Sequence, residues 1–243
     1  MMERRDEGKE NKKQRFMMDK KQIKKFKIYR SALFPASLIL LALLTGCVTL
    51  KPESSAITKS ADDGLSVTEI KDVGRGFVIT EAAQLEPSAR KDFEEAVLLL
   101  NEEAYDKAIE ILERVVEQAP GVTAPYIDLG IAYQRIGNQV KAETQFKSAL
   151  EIFPGHPVAC NQYGLLLRKN GKFDEARNIF EQALAAYPSY YPVHRNLGIL
   201  YDLYLNDLPK ALEHYKIYYE YVPDDTRVKI WIADLRIRMG IDQ

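Results

Sequence analysis

The sequence predicts an all-α fold: a superhelix of about four stacked helical hairpins, closed by one capping helix. Three observations predict it. Small residues recur at Ala96, Gly130, Gly164 and Gly198, 34 apart throughout. Alanines at Ala108, Ala142, Ala176 and Ala211, and bulky residues at Leu112, Phe146, Phe180 and Tyr215, repeat at 34, 34 and 35. Pro120, Pro154, Pro188 and Pro223 close each period at the same spacings. A fixed period of this length means one helical-hairpin unit repeated, each burying its apolar face on the next.

The units divide the span 88–223 at about 89–122, 123–156, 157–190 and 191–225. In the second unit Gly130 and Ala142 are small because two helices cross there and their backbones must come close. Tyr133 and Phe146 fill the space between the pair. Gly137 ends the first helix in a left-handed cap, and Pro154 stops the second. The third unit repeats this pattern, with Gly171 at the turn. The first unit departs from it with Ala96 for Gly. The fourth has one inserted residue and the loop "YLNDLPKA" in place of the Gly turn. Residues 226–239 then place Val228, Trp231, Ile232, Leu235 and Met239 on one helical face. Asp224 and Asp225 precede them, where carboxylates favour the helix dipole. This is read as a capping helix over the last open apolar edge.

Over residues 89–223 the four columns resemble the tetratricopeptide repeat (TPR) family. The resemblance implies a superhelix whose concave face is lined by the first helix of each pair. Residues three before, one after and four after the unit's Gly share one helical face. Here they are Ile127, Ile131 and Gln134, then Asn161, Leu165 and Arg168, then Arg195, Ile199 and Asp202, with Arg135 and Lys169 flanking. They form the candidate protein-binding groove. Its apolar stripe would seat an extended peptide, and Arg or Asn would hold the peptide backbone or a carboxylate. Some members of the family clamp a peptide C-terminus with Lys and Asn, a pattern that Asn161, Arg168 and Arg195 match in part.

Ahead of the repeats, residues 1–30 carry twelve basic residues against five acidic ones, and residues 32–44 carry no charge. Thirteen helical residues rise about 20 Å, short of the roughly 30 Å bilayer core. A basic start and a short apolar run form a signal-peptide pattern. The run closes on Leu44-Thr45-Gly46-Cys47, which resembles the bacterial lipoprotein signal. The resemblance implies cleavage after residue 46, acylation of the Cys47 sulfur and amino group, and a covalent lipid (palmitate among its chains) as the only prosthetic group. Multiple acyl chains anchor a protein stably without spanning the membrane. With Val48 rather than Asp next to the cysteine, the sorting rule points to the outer membrane, facing the periplasm. Met17 or Met18 offers a later start. Residues 47–87 are read as a lipid-anchored, partly disordered tether, with "SVTEI" and "GFVIT" as short extended pieces.

From Cys47 onward the formal charge is −8. That argues against nucleic acid, which needs a basic face. Cys160 is the only other cysteine, so a lipidated Cys47 excludes an internal disulfide; Cys160 beside the repeat core reads as a buried, inert thiol. No catalytic or metal-binding motif occurs. His194 falls in a first helix, and His156 and His214 in or near turns. Nine of the fourteen tyrosines lie between Tyr187 and Tyr221. Tyr201, Tyr215 and Tyr218 fall at core positions; Tyr190, Tyr191, Tyr204, Tyr219 and Tyr221 are open to interface use.

The expectation is a non-enzymatic scaffold or adaptor lipoprotein without metal or other cofactor. It would bind a protein partner, an extended peptide or an envelope-complex subunit. In similar lipoproteins the partners belong to pilus, secretion, motility or transport machinery, and pilotin-like assistance to a secretin is one concrete version. Two alternatives stand beside it: a self-associating structural lipoprotein that forms a homodimer, and a regulator of a cell-wall hydrolase.

Overall fold

The computed structural model describes residues 58–60, 65–70 and 76–241. The expected signal peptide, the expected lipidation site Cys47 and the first part of the span read as a tether lie outside the described residues. Three antiparallel strands come first, β1 (Thr58–Ser60), β2 (Leu65–Ile70) and β3 (Gly76–Glu81), in the order β1-β2-β3. Nine α-helices follow among the described residues. They pair as α1 (Pro87–Asn101) with α2 (Tyr105–Gln118), α3 (Thr123–Arg135) with α4 (Gln139–Ile152), α5 (Pro157–Lys169) with α6 (Phe173–Ala186), and α7 (Tyr191–Leu200) with α8 (Leu208–Tyr221). The ninth, α9 (Thr226–Arg238), stands alone at the end of the array.

Within each pair the small column and the bulky column meet. A Cβ placed on Gly130, Gly164 or Gly198 would lie 2.6, 2.4 or 2.4 Å from the ring of Phe146, Phe180 or Tyr215, respectively. The ring fills the space that the glycine leaves, and all three are buried. The first unit reaches the same packing differently. It places fully buried Ala96 with the smaller Leu112, so one methyl group is gained where ring atoms are lost.

The hairpin turns share one device. A left-handed residue stands at Glu103 (φ 62°), Gly137 (φ 86°), Gly171 (φ 79°) and Asn206 (φ 54°). The next amide donates back to the carbonyl of Leu99, Tyr133, Leu167 or Tyr201, closing the helix end. The inserted residue of the fourth unit is absorbed here. Residues Tyr201–Leu205 widen into a π-turn, and the Asp207 amide reaches the Tyr201 carbonyl at 3.0 Å, six residues back instead of five.

Units are stitched by tyrosines as well as by apolar contact. The Tyr133 hydroxyl donates to Glu113, and Tyr201, 68 residues on, donates to Glu181 at 3.0 Å. Tyr163 donates to Glu143 at 3.0 Å. On α9, Val228 and Leu235 are buried, and Trp231, Ile232 and Met239 pack half-buried on the same core. Its outer side leaves Ile230 and Ile237 exposed.

Two sequence expectations change. Within the span read as a tether, Thr58–Ser60, Leu65–Ile70 and Gly76–Glu81 form a sheet, and the two extended pieces are β2 and β3. Their alternation explains why. The register Leu65↔Glu81, Val67↔Ile79 and Glu69↔Phe77 puts these six side chains on one face. Leu65 and Val67 are buried in the core shared with the helices, and Phe77 and Ile79 pack against it. His214, expected in or near a turn, lies in the middle of α8. No described helix is long and apolar enough to cross a membrane.

Candidate functional site

The first helices α3, α5 and α7 carry the candidate groove, and the sheet bears on their N-terminal ends. β3 supplies the contacts. The Phe77 ring lies 4.7 Å from Tyr190 and 4.9 Å from Tyr191, at the start of α7. Four residues along the strand, Glu81 Oε2 accepts the Thr123 backbone N–H at 2.9 Å. The residue before α3 is Val122, which has no side-chain cap to offer, so the carboxylate of a distant strand caps this helix. Glu81 Oε1 also lies 3.7 Å from His156 Nε2. His156 itself caps α5, its Nδ1 accepting the Ala159 N–H at 3.3 Å. That bond leaves the proton of the neutral ring on Nε2, facing Glu81.

The electrostatics follow from burial. Desolvation pushes the His156 pKa down to about 4. It also raises the Glu81 carboxyl, against the lowering pull of the α3 amides. The Cys160 thiol is pushed up to about 12 by burial, which makes it unreactive. A histidine pair sits between α7 and α8. His194 Nδ1 and His214 Nδ1 are 2.9 Å apart, and His194 Nε2 is 3.1 Å from the Pro188 carbonyl. A carbonyl only accepts, so His194 carries its proton on Nε2 and His214 donates from Nδ1.

The sequence-predicted groove residues divide into three groups. Of the three residues expected as an apolar stripe, Ile131, Leu165 and Ile199, the first two are half-buried, with Gln134 and Arg168 half-buried beside them and Arg135 and Lys169 exposed at the edge. Ile127, Asn161 and Ile199 are buried rather than open. Ile127 packs with Ala149 and Ala159, and Asn161 accepts from Asn196 Nδ2 at 2.7 Å. The last group is engaged by α9. Arg195 stacks its guanidinium 5.5 Å from the Trp231 ring centre, and buried Asp202 accepts from Arg238 at 2.7 Å. Position counting along one helix could not show that the next helix would cover these two.

The tyrosines also resolve. Tyr190 and Tyr191 are buried and form the wall under Phe77, Tyr204 stacks on Phe173 at 4.6 Å, and Tyr219 and Tyr221 are half-buried. Sequence reasoning missed Phe77, Glu81 and His156 as a group. The signal was the alternation in "GFVITE", which sets Phe77, Ile79 and Glu81 on one face. No group of three or more potential metal ligands occurs among the described residues.

Comparison with known proteins agrees with this geometry. Two tetratricopeptide repeat models match, over residues 99–159 and 163–226. Among solved structures, the chain is similar to MamA (41-end) from Desulfovibrio magneticus RS-1, with a TM-score of 0.56 and 21% identity, over 65% of this chain and 88% of that one. It is also similar to pilF of Pseudomonas aeruginosa, with a TM-score of 0.58 and 19% identity, over 63% of this chain and 69% of that one. At such identities the likeness is one of fold. Among curated proteins it is 30% identical over 105 residues to a probable UDP-N-acetylglucosamine–peptide N-acetylglucosaminyltransferase, SPINDLY, of Solanum lycopersicum. It is 33% identical over 112 residues to the CTR9 homolog of Arabidopsis thaliana. These matches take in 43% and 45% of this chain but only 11% and 10% of those proteins.

Proposed function

We propose that this chain, which is built of tetratricopeptide repeats, is a non-enzymatic adaptor tethered by lipid at Cys47 and presenting its helical array for assembly of an envelope complex. The observation that carries the binding role is the half-open strip along α3 and α5. There Ile131 and Leu165 offer apolar surface beside Gln134, Arg135, Arg168 and Lys169. A basic edge on a chain of net charge −8 from Cys47 onward suits an extended peptide with acidic or carbonyl-rich character. The lipid anchor and the periplasmic face of an outer membrane rest on the Leu44-Thr45-Gly46-Cys47 signal.

The test is in-cell photocrosslinking from position 169, exposed at the edge of the strip, with position 151 on the exposed side of α4 as control. Capture of one partner from 169 and not from 151 is expected. Identical capture profiles from both positions would remove the strip as the working surface.

A further inference from the structure

The mouth of the array already holds an extended segment, and that segment belongs to the chain itself. Its seat has three parts in a line. Tyr190 and Tyr191 form an aromatic wall for Phe77. The shared core receives Ile79. The Thr123 amide and the His156 ring receive Glu81. The two ends are four residues apart along β3, roughly 13 Å of strand. The seat therefore reads an aromatic, an apolar and a carboxylate side chain at alternate positions of an extended chain. The same strand crosses from the start of α7 to the start of α3, so it spans three units.

We infer that β3 is an internal ligand of the array mouth, and that a partner docks there through an extended segment of the same chemistry, aromatic-x-apolar-x-carboxylate, in exchange for β3. The inference rests on the reading of the array as a protein-binding surface and gives that surface a partner chemistry. Two features favour exchange over a permanent graft. Phe77, Ile79 and Glu81 reach the helices through their side chains, and the described backbone pairing of the strand lies within the sheet of β1, β2 and β3. The buried seat residues Thr123, His156, Tyr190 and Tyr191 belong to helix starts that the repeat columns already fix, so the seat persists when the strand leaves.

The experiment uses the full chain and a fluorescent peptide carrying residues 76–84, with binding read by anisotropy. Phe77→Ala and, separately, Ile79→Ser loosen the internal strand without touching the helices, and circular dichroism verifies that the helix content of each variant is unchanged. Peptide affinity at least ten-fold higher for both variants than for the unsubstituted chain is expected. A peptide with Lys in place of the glutamate at position 81 is expected to bind at least ten-fold more weakly to all three. Equal affinity for variant and unsubstituted chain, or for the two peptides, would overturn the inference. Sedimentation of the variants covers the competing occupant: a shift to twice the mass would mean that the strand is exchanged with a second copy instead of a partner, and would overturn it too. Because the probe is the chain's own strand, failure here leaves the strip on α3 and α5, and the crosslinking result, intact.

Discussion

Glu81 caps a helix that begins 42 residues later: its carboxylate accepts the Thr123 amide at 2.9 Å and faces the His156 ring at 3.7 Å. One side chain thus ties the strand ahead of the array to the starts of two units. Loss of a capping acceptor costs about 1 kcal/mol. Glu81→Ala is expected to lower stability by about that amount and to speed hydrogen exchange at the Thr123 and Ala124 amides selectively. Unchanged exchange at both amides would show that the cap contributes nothing in solution.

The glycine and aromatic columns are expected to be coupled. Gly164→Ala places a Cβ 2.4 Å from the Phe180 ring. Overpacking of this kind costs about 1–3 kcal/mol, more than the ~1 kcal/mol that Ala gains in helix propensity. Adding Phe180→Leu copies the Ala96–Leu112 pair of the first unit. The double variant is expected to be more stable than the sum of the single effects predicts, and a double-mutant cycle by denaturant melts measures the coupling. Strict additivity would separate the two columns.

Acid is expected to weaken the fold before ordinary carboxylate titration does. Burial pushes His156 and His214 down to about 4, the latter helped by His194 and Lys210. A histidine with a depressed pKa binds fewer protons folded than unfolded. Its contribution is present above about pH 6.5 and is lost as pH falls toward 4. The raised pKa of Glu81 acts with the opposite sign, favouring the fold as it takes up a proton and losing that contribution as pH rises through its folded pKa. It offsets part of the loss. Thermal melts are expected to be flat from pH 8 to 7 and to fall between pH 6.5 and 4. His156→Asn keeps a capping acceptor and removes one titration, so it is expected to shallow that slope. A slope identical to the unsubstituted chain would exclude His156 as a contributor.

Glu103 is a bulky residue held at φ 62°, where Gly137 and Gly171 stand in the next two units. The left-handed conformation costs a non-glycine residue about 1 kcal/mol, part of which glycine returns through its looser unfolded chain. Glu103→Gly is therefore expected to raise the melting temperature by roughly 2 °C. A lower melting temperature would mean that the Glu103 side chain contributes more than its backbone strain costs.

The proposed lipid anchor is testable directly. Labelled palmitate is expected to enter the expressed chain, and Cys47→Ser to abolish that label and leave the chain uncleaved at residue 46. Persistent labelling of the Ser variant would remove the lipoprotein reading.

The sequence by itself determined the array. Backbone crossing, turn geometry and helix stops each demand a particular residue type at a particular register, and the same demand recurs every 34 residues, so Gly130, Phe146, Gly137 and Pro154 announce their roles through their counterparts. The one-residue insertion was equally legible as a change of spacing, although its form as a π-turn at Tyr201–Leu205 was not. Only the tertiary structure decided which groove positions stay open. Arg195 and Asp202 share the helical face that carries Ile131 and Leu165 in the preceding units, yet Trp231 and Arg238 of α9 engage them. The seat of β3 was likewise invisible, because it joins Phe77 to Tyr190 and Glu81 to Thr123 across gaps with no period to reveal them. Local pattern fixes which face of a helix or strand is apolar; what that face meets depends on contacts between segments far apart in the chain, and those exist only once the array is assembled.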